Sequence, residues 1–286
     1  MTPSEQLLRA VASRAGSEVV ASEPCSGGDV ADTHRIELAD GRRCCVKTHR
    51  SPPPQHFSTE AAGLDWLRMA DVVPVPEVVA VSDHDPAFLL IEWIEEGGRP
   101  DEEGFGRALA RLHRSGSPCF GRPDRRSTGS RSLPNEPCAT WTEFYATQRL
   151  EPLARLAADA EVLDATALAD LDRVIHRLEE LGGTPEPPSL LHGDLWAGNR
   201  LVGRNGRSWL IDPAAHGGHR EFDLAMMRLF GGFGRSVFDA YGEVVPLAEG
   251  WQDRVQLHQL APLLVHAVKF GGGYVGASRD VLLRYR

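Results

Sequence analysis

Residues 190–212 read LLHGDLWAGNRLVGRNGRSWLID, and this stretch decides the fold of the chain. A His-Gly-Asp motif at 192–194 is followed after four residues by Asn199, and Asp212 lies thirteen residues beyond Asn199. Carboxylate and amide oxygens are hard ligands, which Mg²⁺ binds together with phosphate oxygens. The pattern therefore predicts a metal-assisted phosphotransfer centre.

The pair Asn205-Gly206 lies between the two predicted metal ligands and is a strong signal for a two-residue hairpin turn. If these two residues form the centre of the turn, strand pairing places Asn199 directly opposite Asp212, with Cβ atoms roughly 4.5–5.5 Å apart. We therefore expect Asn199 and Asp212 to hold Mg²⁺, and Asp194 to face the substrate as the catalytic residue. A β-bulge would shift this register. Taken singly, each of these residues could equally be a turn or cap residue.

Composition limits the possible classes of function. The 286 residues are 42% hydrophobic, which is enough for one large or two moderate domains. The net charge is -9, and no basic cluster is interleaved with aromatic residues, so we expect no nucleic-acid partner. No apolar run approaches the length of a membrane span, so we expect no membrane role. The N-terminus does not resemble a signal peptide, and the five cysteines form no CxxC motif, so the prediction is a cytoplasmic protein.

The order of the predicted elements indicates two lobes. Strand signals at 33–38, 43–48 and 87–94 dominate the first third, together with helices beginning near Ser4 and Ser58. Glycines at 97 and 98 mark a break, after which the pattern becomes helical, with helices expected at 102–114, 141–156, 165–181, 220–230 and 253–269. We predict an α+β fold with a small antiparallel-sheet N-lobe that binds nucleotide (1–97). A larger, mainly helical C-lobe (98–286) would carry the catalytic loop, the metal and the acceptor site.

The N-lobe offers groups that a nucleotide requires. Backbone N–H groups at Gly27 and Gly28 could approach phosphate oxygens closely. Lys47 lies in an apolar strand, where an ammonium is costly unless it finds an anion, although it could also extend to the surface. Glu60 is the expected ion-pair partner, and the pair would hold Lys47 against the phosphates. The adenine is expected at the backbone of Glu92, Trp93 and Ile94.

These motifs together resemble the protein-kinase-like fold. H-G-D stands where protein kinases have H-R-D, and I-D-P at 211–213 stands in place of D-F-G, as in the aminoglycoside and choline kinase type. Within that group, LLHGDLWAGN at 190–199, IDPAAHGGHREFDLAMMRLFGGF at 211–233 and WTEFYATQRL at 141–150 closely resemble the fructosamine kinase (ketosamine-3-kinase) family. The resemblance covers nearly the whole chain. One departure is His216, near which the family pattern has an aromatic residue, often Tyr.

The resemblance implies ATP-dependent phosphorylation of the sugar 3-hydroxyl of a ketosamine, with Mg²⁺ as the metal. The phosphorylated adduct then releases its amine, so the role would be deglycation of small amines or proteins. Trp196 is expected to stack on the sugar, although it could be a core residue. His219, Glu221 and Asp223 are substrate candidates, and the two carboxylates could instead brace the following helix.

Two other functions stay open at this point. The chain could be a kinase of another hydroxylated amine, such as choline or an aminoglycoside, or an ATP-binding scaffold without catalysis. The partners expected are a free or protein-bound ketosamine and, at most, a second copy in a weak homodimer.

Overall fold

The structure is a computed structural model that describes residues 3–25, 31–124, 127–128 and 132–286. The predicted phosphate-contacting glycines Gly27 and Gly28 lie outside these residues.

A five-stranded antiparallel sheet forms the N-terminal part of the molecule. Its strands are β1 (Val19–Pro24), β2 (Asp32–Leu38), β3 (Arg43–Thr48), β4 (Val78–Ser82) and β5 (Phe88–Glu92), in the order β1-β2-β3-β5-β4. Because successive side chains of a strand point to opposite faces, β5 serves two apolar layers. Phe88 and Leu90 pack with helix α1 (Glu5–Ala15), whereas Leu89 and Ile91 pack with helix α2 (His56–Arg68).

The two helices of this part begin differently from one another. α1 starts as predicted, with the Ser4 side chain accepting a hydrogen bond from the Leu7 N–H. The prediction of Ser58 as the cap of α2 is wrong, because that helix already begins at His56. The carboxylate of Asp83 accepts hydrogen bonds from the N–H groups of Phe57 and Ser58 and caps the helix from a distant loop.

A linker after β5 lies backbone to backbone against the hairpin at 200–210. Gly97 N–H donates to Val202 O at 3.2 Å, and Asp101 N–H donates to Gly206 O at 3.1 Å. A Cβ on Gly98 would lie 2.2 Å from Gly203 O, so only glycine permits this approach. The predicted lobe boundary falls inside this linker and stays a prediction.

Helices dominate the rest of the chain. They are α3 (Glu102–Arg114), α4 (Trp141–Tyr145), α5 (Glu151–Asp159), α6 (Ala165–His176), α7 (Leu178–Leu181), α8 (Glu221–Leu229), α9 (Arg235–Val244), α10 (Trp251–Phe270) and α11 (Gly273–Tyr285). Three short antiparallel ribbons accompany them: β6 (Ser127–Thr128) with β7 (Leu133–Pro134), β8 (Ser189–Leu191) with β11 (His216–Gly218), and β9 (Arg200–Val202) with β10 (Ser208–Leu210). The predicted α+β architecture, with a small sheet and a larger helical part, is confirmed.

The predicted helix at 141–156 contains a change of register. A π-helical turn, Ala146–Leu150, separates α4 from α5. Pro152 at the start of α5 has no N–H to continue the α-helical hydrogen-bond ladder, and the register changes just before it. In the described part of the chain, no helix is both long and apolar enough to cross a membrane.

Candidate active site

Strand β8 leads directly into the catalytic loop, residues 192–199. Gly193 has a φ of +81°, and a Cβ there would lie 2.2 Å from Ala214 O. A side chain at this position would therefore push the loop away from the segment that carries Asp212, which explains a glycine between His192 and Asp194.

Asp223 of helix α8 fixes the backbone of this loop. Its carboxylate accepts hydrogen bonds from the N–H of His192 at 2.7 Å and from the N–H of Gly193 at 2.9 Å. Burial opposes the charge of Asp223, but the hydrogen bond and charge of His113, together with His192 and the Gly193 N–H, outweigh it and lower the pKa of this carboxyl. The His192 ring bonds to Ile211 O at 2.8 Å through Nε2 and so ties the loop to the following strand. Both residues position the loop and leave Asp194 as its reactive group.

Asp194 projects into the cleft next to Asn199. The Asn199 side-chain nitrogen donates to Asp194 O at 2.8 Å and to Asp194 Oδ2 at 3.2 Å. Burial raises the pKa of Asp194 to about 7, and the negative charge of Asp212 adds to the rise, against the hydrogen bond from Asn199. A carboxyl group with a pKa near the working pH is suited to accept a proton from a hydroxyl group.

The predicted register of the hairpin is wrong by one residue. The turn between β9 and β10 has three residues, with Gly203 N–H donating to Arg207 O at 3.0 Å and Gly206 at a φ of +79°. A third residue in the left-handed conformation is the usual alternative to a two-residue turn. Ile211 therefore faces Asn199, and Ile211 N–H donates to Asn199 O at 3.1 Å.

Asp212 still reaches the cleft, because its backbone leaves the strand conformation. Its φ is +55°, a left-handed value that non-glycine residues adopt at a cost and that is common at functional sites. Asn199 and Asp212 both line the cleft with Asp194, so the structure brings the three predicted residues together.

Lys47 of strand β3 forms ion pairs with two acidic residues, Glu60 of α2 and Asp212 after strand β10. Its Nζ lies 2.6 Å from Glu60 Oε1, which confirms the predicted ion pair, and it also contacts Asp212 Oδ1. Burial by itself would lower the pKa of Lys47, but the charges of Glu60 and Asp212 outweigh it and raise that pKa above its usual range. Lys47 therefore stays charged, and the alternative of a lysine extended to the surface is excluded.

A single cleft of about 640 Å³ contains these residues. We call the side with Lys47, Glu60 and Asp212 the nucleotide end. The predicted adenine contacts Glu92, Trp93 and Ile94 also line it. Trp93 N–H already donates to Arg43 O at 3.1 Å, whereas Ile94 N–H has no partner in the described part of the chain and is the available donor.

Another part of the cleft lining is an aromatic cluster, and we call it the acceptor end. It is lined by Trp196, Met226, Phe230, Val265, His266, Lys269 and Phe270. Trp196 is 38% exposed and stands edge-on to Phe230, with ring centroids 6.0 Å apart. The alternative of Trp196 as a core residue is therefore wrong, while its contact with a sugar stays a proposal.

The other three predicted substrate residues do not face this end. His219, Glu221 and Asp223 are buried, with exposures of 3%, 1% and 0%, and do not line the cleft. Both Glu221 oxygens accept hydrogen bonds from Arg254, at 2.6 and 2.8 Å, and the His219 ring stacks on His258. Burial opposes ionisation of Glu221, yet the neighbouring His258 and the hydrogen bonds from Arg254 bring its pKa down to about 2. Protein groups therefore occupy both carboxylates, but Glu221 holds α10 and Asp223 holds the catalytic loop, rather than the following helix.

Lys269 and Phe270 were missing from the predicted site. Both lie in the last turn of α10, with Lys269 seventy residues after Asn199, and the prediction gave this turn no role in the site. The composition contains one signal, because Lys47 and Lys269 are the only two lysines among 31 basic residues.

Comparison with known proteins identifies the family. The model of the fructosamine kinase family matches residues 3–285. The chain belongs to the fructosamine kinase family. A probable ketoamine kinase of Enterococcus faecium is 36% identical over 265 residues, which cover 91% of this chain and 93% of that protein.

Solved structures agree with this assignment. The structure of a putative fructosamine-3-kinase from Thermobifida fusca has a TM-score of 0.90 at 40% identity and covers 99% of both chains. The choline kinase of Streptococcus pneumoniae shares the fold alone, with a TM-score of 0.67 at 14% identity over 98% of this chain and 97% of that one. The predicted family and the protein-kinase-like fold are confirmed, and membership supports a kinase of ketosamines that uses ATP.

Proposed function

We propose that this protein transfers the γ-phosphoryl group of ATP to the 3-hydroxyl of a ketosamine, and that this reaction serves deglycation. The observation that carries the proposal is that Asp194 lines one cleft together with the charged nucleotide end and the aromatic acceptor end. The 3-phosphate makes the adduct prone to eliminate, which releases the amine and completes the repair.

Asp194 is the proposed general base. Its raised pKa, about 7, leaves a substantial ionised fraction at neutral pH while keeping the carboxylate basic enough to accept the hydroxyl proton. The hydrogen bond from Asn199 holds one Asp194 oxygen in place, so the group also orients the attacking hydroxyl. Asp223 maintains this geometry through the backbone of the loop.

The nucleotide end would neutralise the charge of the phosphates. Lys47, held by Glu60, presents a permanent positive charge to the ADP that leaves. The donor set of Asp212 and Asn199 fits Mg²⁺, because the Asn199 amide nitrogen is bonded to Asp194 and its oxygen is the atom left for a cation. When bound, Mg²⁺ would neutralise charge on the phosphate oxygens.

The acceptor end suits a sugar attached to an amine. The exposed face of Trp196 can pack on the sugar, and Trp196 and Phe230 can attract the protonated amine through their ring faces. An aminoglycoside carries several ammonium groups and needs several carboxylates. In the described residues that line the acceptor end, Asp194 is the one carboxylate nearby, which favours a ketosamine over an aminoglycoside.

Release of ADP from Mg-ATP tests the proposal directly. Ribuloselysine, fructoselysine, choline and kanamycin would be compared as acceptors, with Asp194→Asn as the control. Turnover on a ketosamine that disappears in the variant supports the proposal. Turnover on choline or kanamycin alone would reject the ketosamine acceptor, and ATP binding without any turnover would favour a scaffold.

A further inference from the structure

The choice of basic residues in this chain is uneven. Arginine accounts for 29 of the 31 basic residues, and both lysines, Lys47 and Lys269, line the same cleft. Arginine and lysine differ in kind, because the lysine ammonium is a compact charge on a flexible stem, whereas the guanidinium is a wide planar fork. Lys47 has the position expected for a phosphate-binding lysine. We therefore ask which anion the second lysine of the same cleft, Lys269, could bind.

Lys269 is placed at the mouth of the acceptor end. It lies half-buried in the last turn of α10, with its ammonium 4.6 Å from the centroid of the Phe270 ring, which is 50% exposed. Lys269 also lines the cleft that contains Asp194, so the residue is part of the wall around the proposed reacting group as well as of the exposed edge.

No protein carboxylate neutralises this ammonium in the described part of the chain, because none forms an ion pair with it. Lys47, by contrast, has both Glu60 and Asp212. Arg149, the other described basic side chain of the cleft, also has no carboxylate partner, but it is buried and its terminal nitrogens already donate to Pro134 O at 2.6 Å and to Asn135 Oδ1 at 2.7 Å. Lys269 is only half-buried and is therefore the described cation of this end that a ligand can reach.

The chemistry of a ketosamine shows where such an anion could lie. From the reacting 3-hydroxyl, the chain of atoms runs through three sugar carbons and the nitrogen to the first carbon of the amine. If the amine is an α-amino acid, its carboxylate is attached to that carbon, about six bonds of roughly 1.5 Å from the hydroxyl oxygen. The carboxylate would then lie on the amine side of the sugar, several ångströms from the reacting hydroxyl and towards the exposed edge of the acceptor end.

We propose that Lys269 binds the carboxylate of an acceptor in which the sugar is joined to the α-amino group of an amino acid. The substrate class is then the Nα-ketosamines of free amino acids. This inference rests on the proposed function and specifies its acceptor. Trp196 and Phe230 hold the sugar and the protonated amine, and Lys269 pairs with the carboxylate beyond them.

The test compares two acceptors that differ only in charge. These are the fructose adduct of glycine and the fructose adduct of glycinamide, each assayed by ADP release over a range of acceptor concentrations. For the wild-type protein we expect a KM about tenfold lower for the glycine adduct, because a charge-assisted hydrogen bond is lost in the amide. The ratio of the KM for the glycinamide adduct to the KM for the glycine adduct is then about ten in the wild-type protein. We expect this ratio to fall to about one in Lys269→Gln and below one in Lys269→Glu.

Arg235→Gln is the matched control, since it removes one positive charge from a residue that is 91% exposed and paired only with Asp239 in the described structure. It should keep the wild-type ratio. Equal KM values for the two adducts in the wild-type protein would overturn the proposal, as would a preference for the glycine adduct that survives in Lys269→Gln. If the wild-type protein phosphorylates neither adduct nor any other ketosamine, the proposed function itself fails, which is a different result from a lost preference.

Discussion

The two ends of the cleft are built in opposite ways. At the nucleotide end, Lys47, Glu60 and Asp212 are in direct contact, and their charges are fixed by one another. At the acceptor end, Trp196, Phe230 and Phe270 are each more than a third exposed, and Lys269 has no carboxylate partner among the described residues. In the proposed function, the first end binds the phosphates, which do not vary between substrates, and the second end selects the acceptor.

The residue between the two ends should have the largest effect when it is changed. Asp194→Asn keeps the shape of the side chain but removes the base, so kcat should fall by a factor on the order of 10² to 10⁴. ADP release with a ketosamine measures this loss, and ATP affinity measured by calorimetry serves as the control. A variant with near-normal turnover would contradict the role of Asp194 at the junction.

Loss of Lys47 should damage the nucleotide end as a unit. Lys47→Met leaves the Glu60 and Asp212 carboxylates together without their cation. We expect the free energy of unfolding to fall by about 2–3 kcal/mol, less than the roughly 3–5 kcal/mol lost when a fully buried pair is broken, because the Asp212 side chain is 40% exposed. Chemical denaturation measures the change. Arg235→Met, which breaks an exposed pair, should have little effect, and equal effects of the two variants would show that the contact at the nucleotide end is unimportant.

The raised pKa of Asp194 predicts the pH dependence of the reaction. A base must be ionised to accept a proton, so kcat should rise about tenfold between pH 6 and pH 8 and level off above a pKa of about 7. A rate profile over this range tests the prediction. A flat profile down to pH 5 would mean that the burial of Asp194 does not govern its ionisation.

The same pKa has the opposite effect on stability. The folded state binds the Asp194 proton more tightly than the unfolded state, so this contribution to stability is present at pH 5 and is lost as the pH rises through about 7. Asp194→Asn carries no charge at either pH. It should therefore raise the Tm more at pH 8 than at pH 5, which thermal unfolding without nucleotide can measure, and an equal shift at both values would refute this linkage.

The acceptor end should show the smallest effect. Trp196→Leu removes a ring face from the sugar and the amine, so we expect the KM of the ketosamine to increase about threefold to tenfold while the KM of ATP stays the same. Steady-state kinetics with each substrate varied in turn measures both values. Trp66→Leu is the matched control, because Trp66 is also only partly buried and lines neither the cleft nor the predicted adenine contacts. An increase in the KM of ATP would contradict the assignment of Trp196 to the acceptor end.

The sequence predicted which residues come together around Asp194 and Lys47, because the signals that mark them are local. The His-Gly-Asp motif and Asn199 lie within eight residues, and an apolar strand that contains Lys47 requires an anion nearby. The register of the hairpin could not be predicted, because Asn205-Gly206 is compatible with both two-residue and three-residue turns. The difference depends on how Gly206 packs against the linker, where a Cβ would lie 2.6 Å from Arg99 O.

The acceptor end was harder to predict because distant segments form it. Lys269 and Phe270 come from the last turn of α10, and only the folded chain brings them near Asp194. His219 and Glu221 were wrongly predicted to contact the substrate. They lie close in sequence to Asp212, but their side chains are buried in the core. Their partners His258 and Arg254 belong to α10, so no feature of the short motif indicated that they are occupied.

The central claim is that the cleft directs a phosphoryl group to one particular hydroxyl of a ketosamine. Nuclear magnetic resonance of ribuloselysine incubated with the protein and Mg-ATP tests it most directly. We expect a single new phosphate ester at carbon 3, followed by the appearance of free lysine as the product breaks down. A stable phosphate ester at another carbon, with no release of lysine, would contradict it.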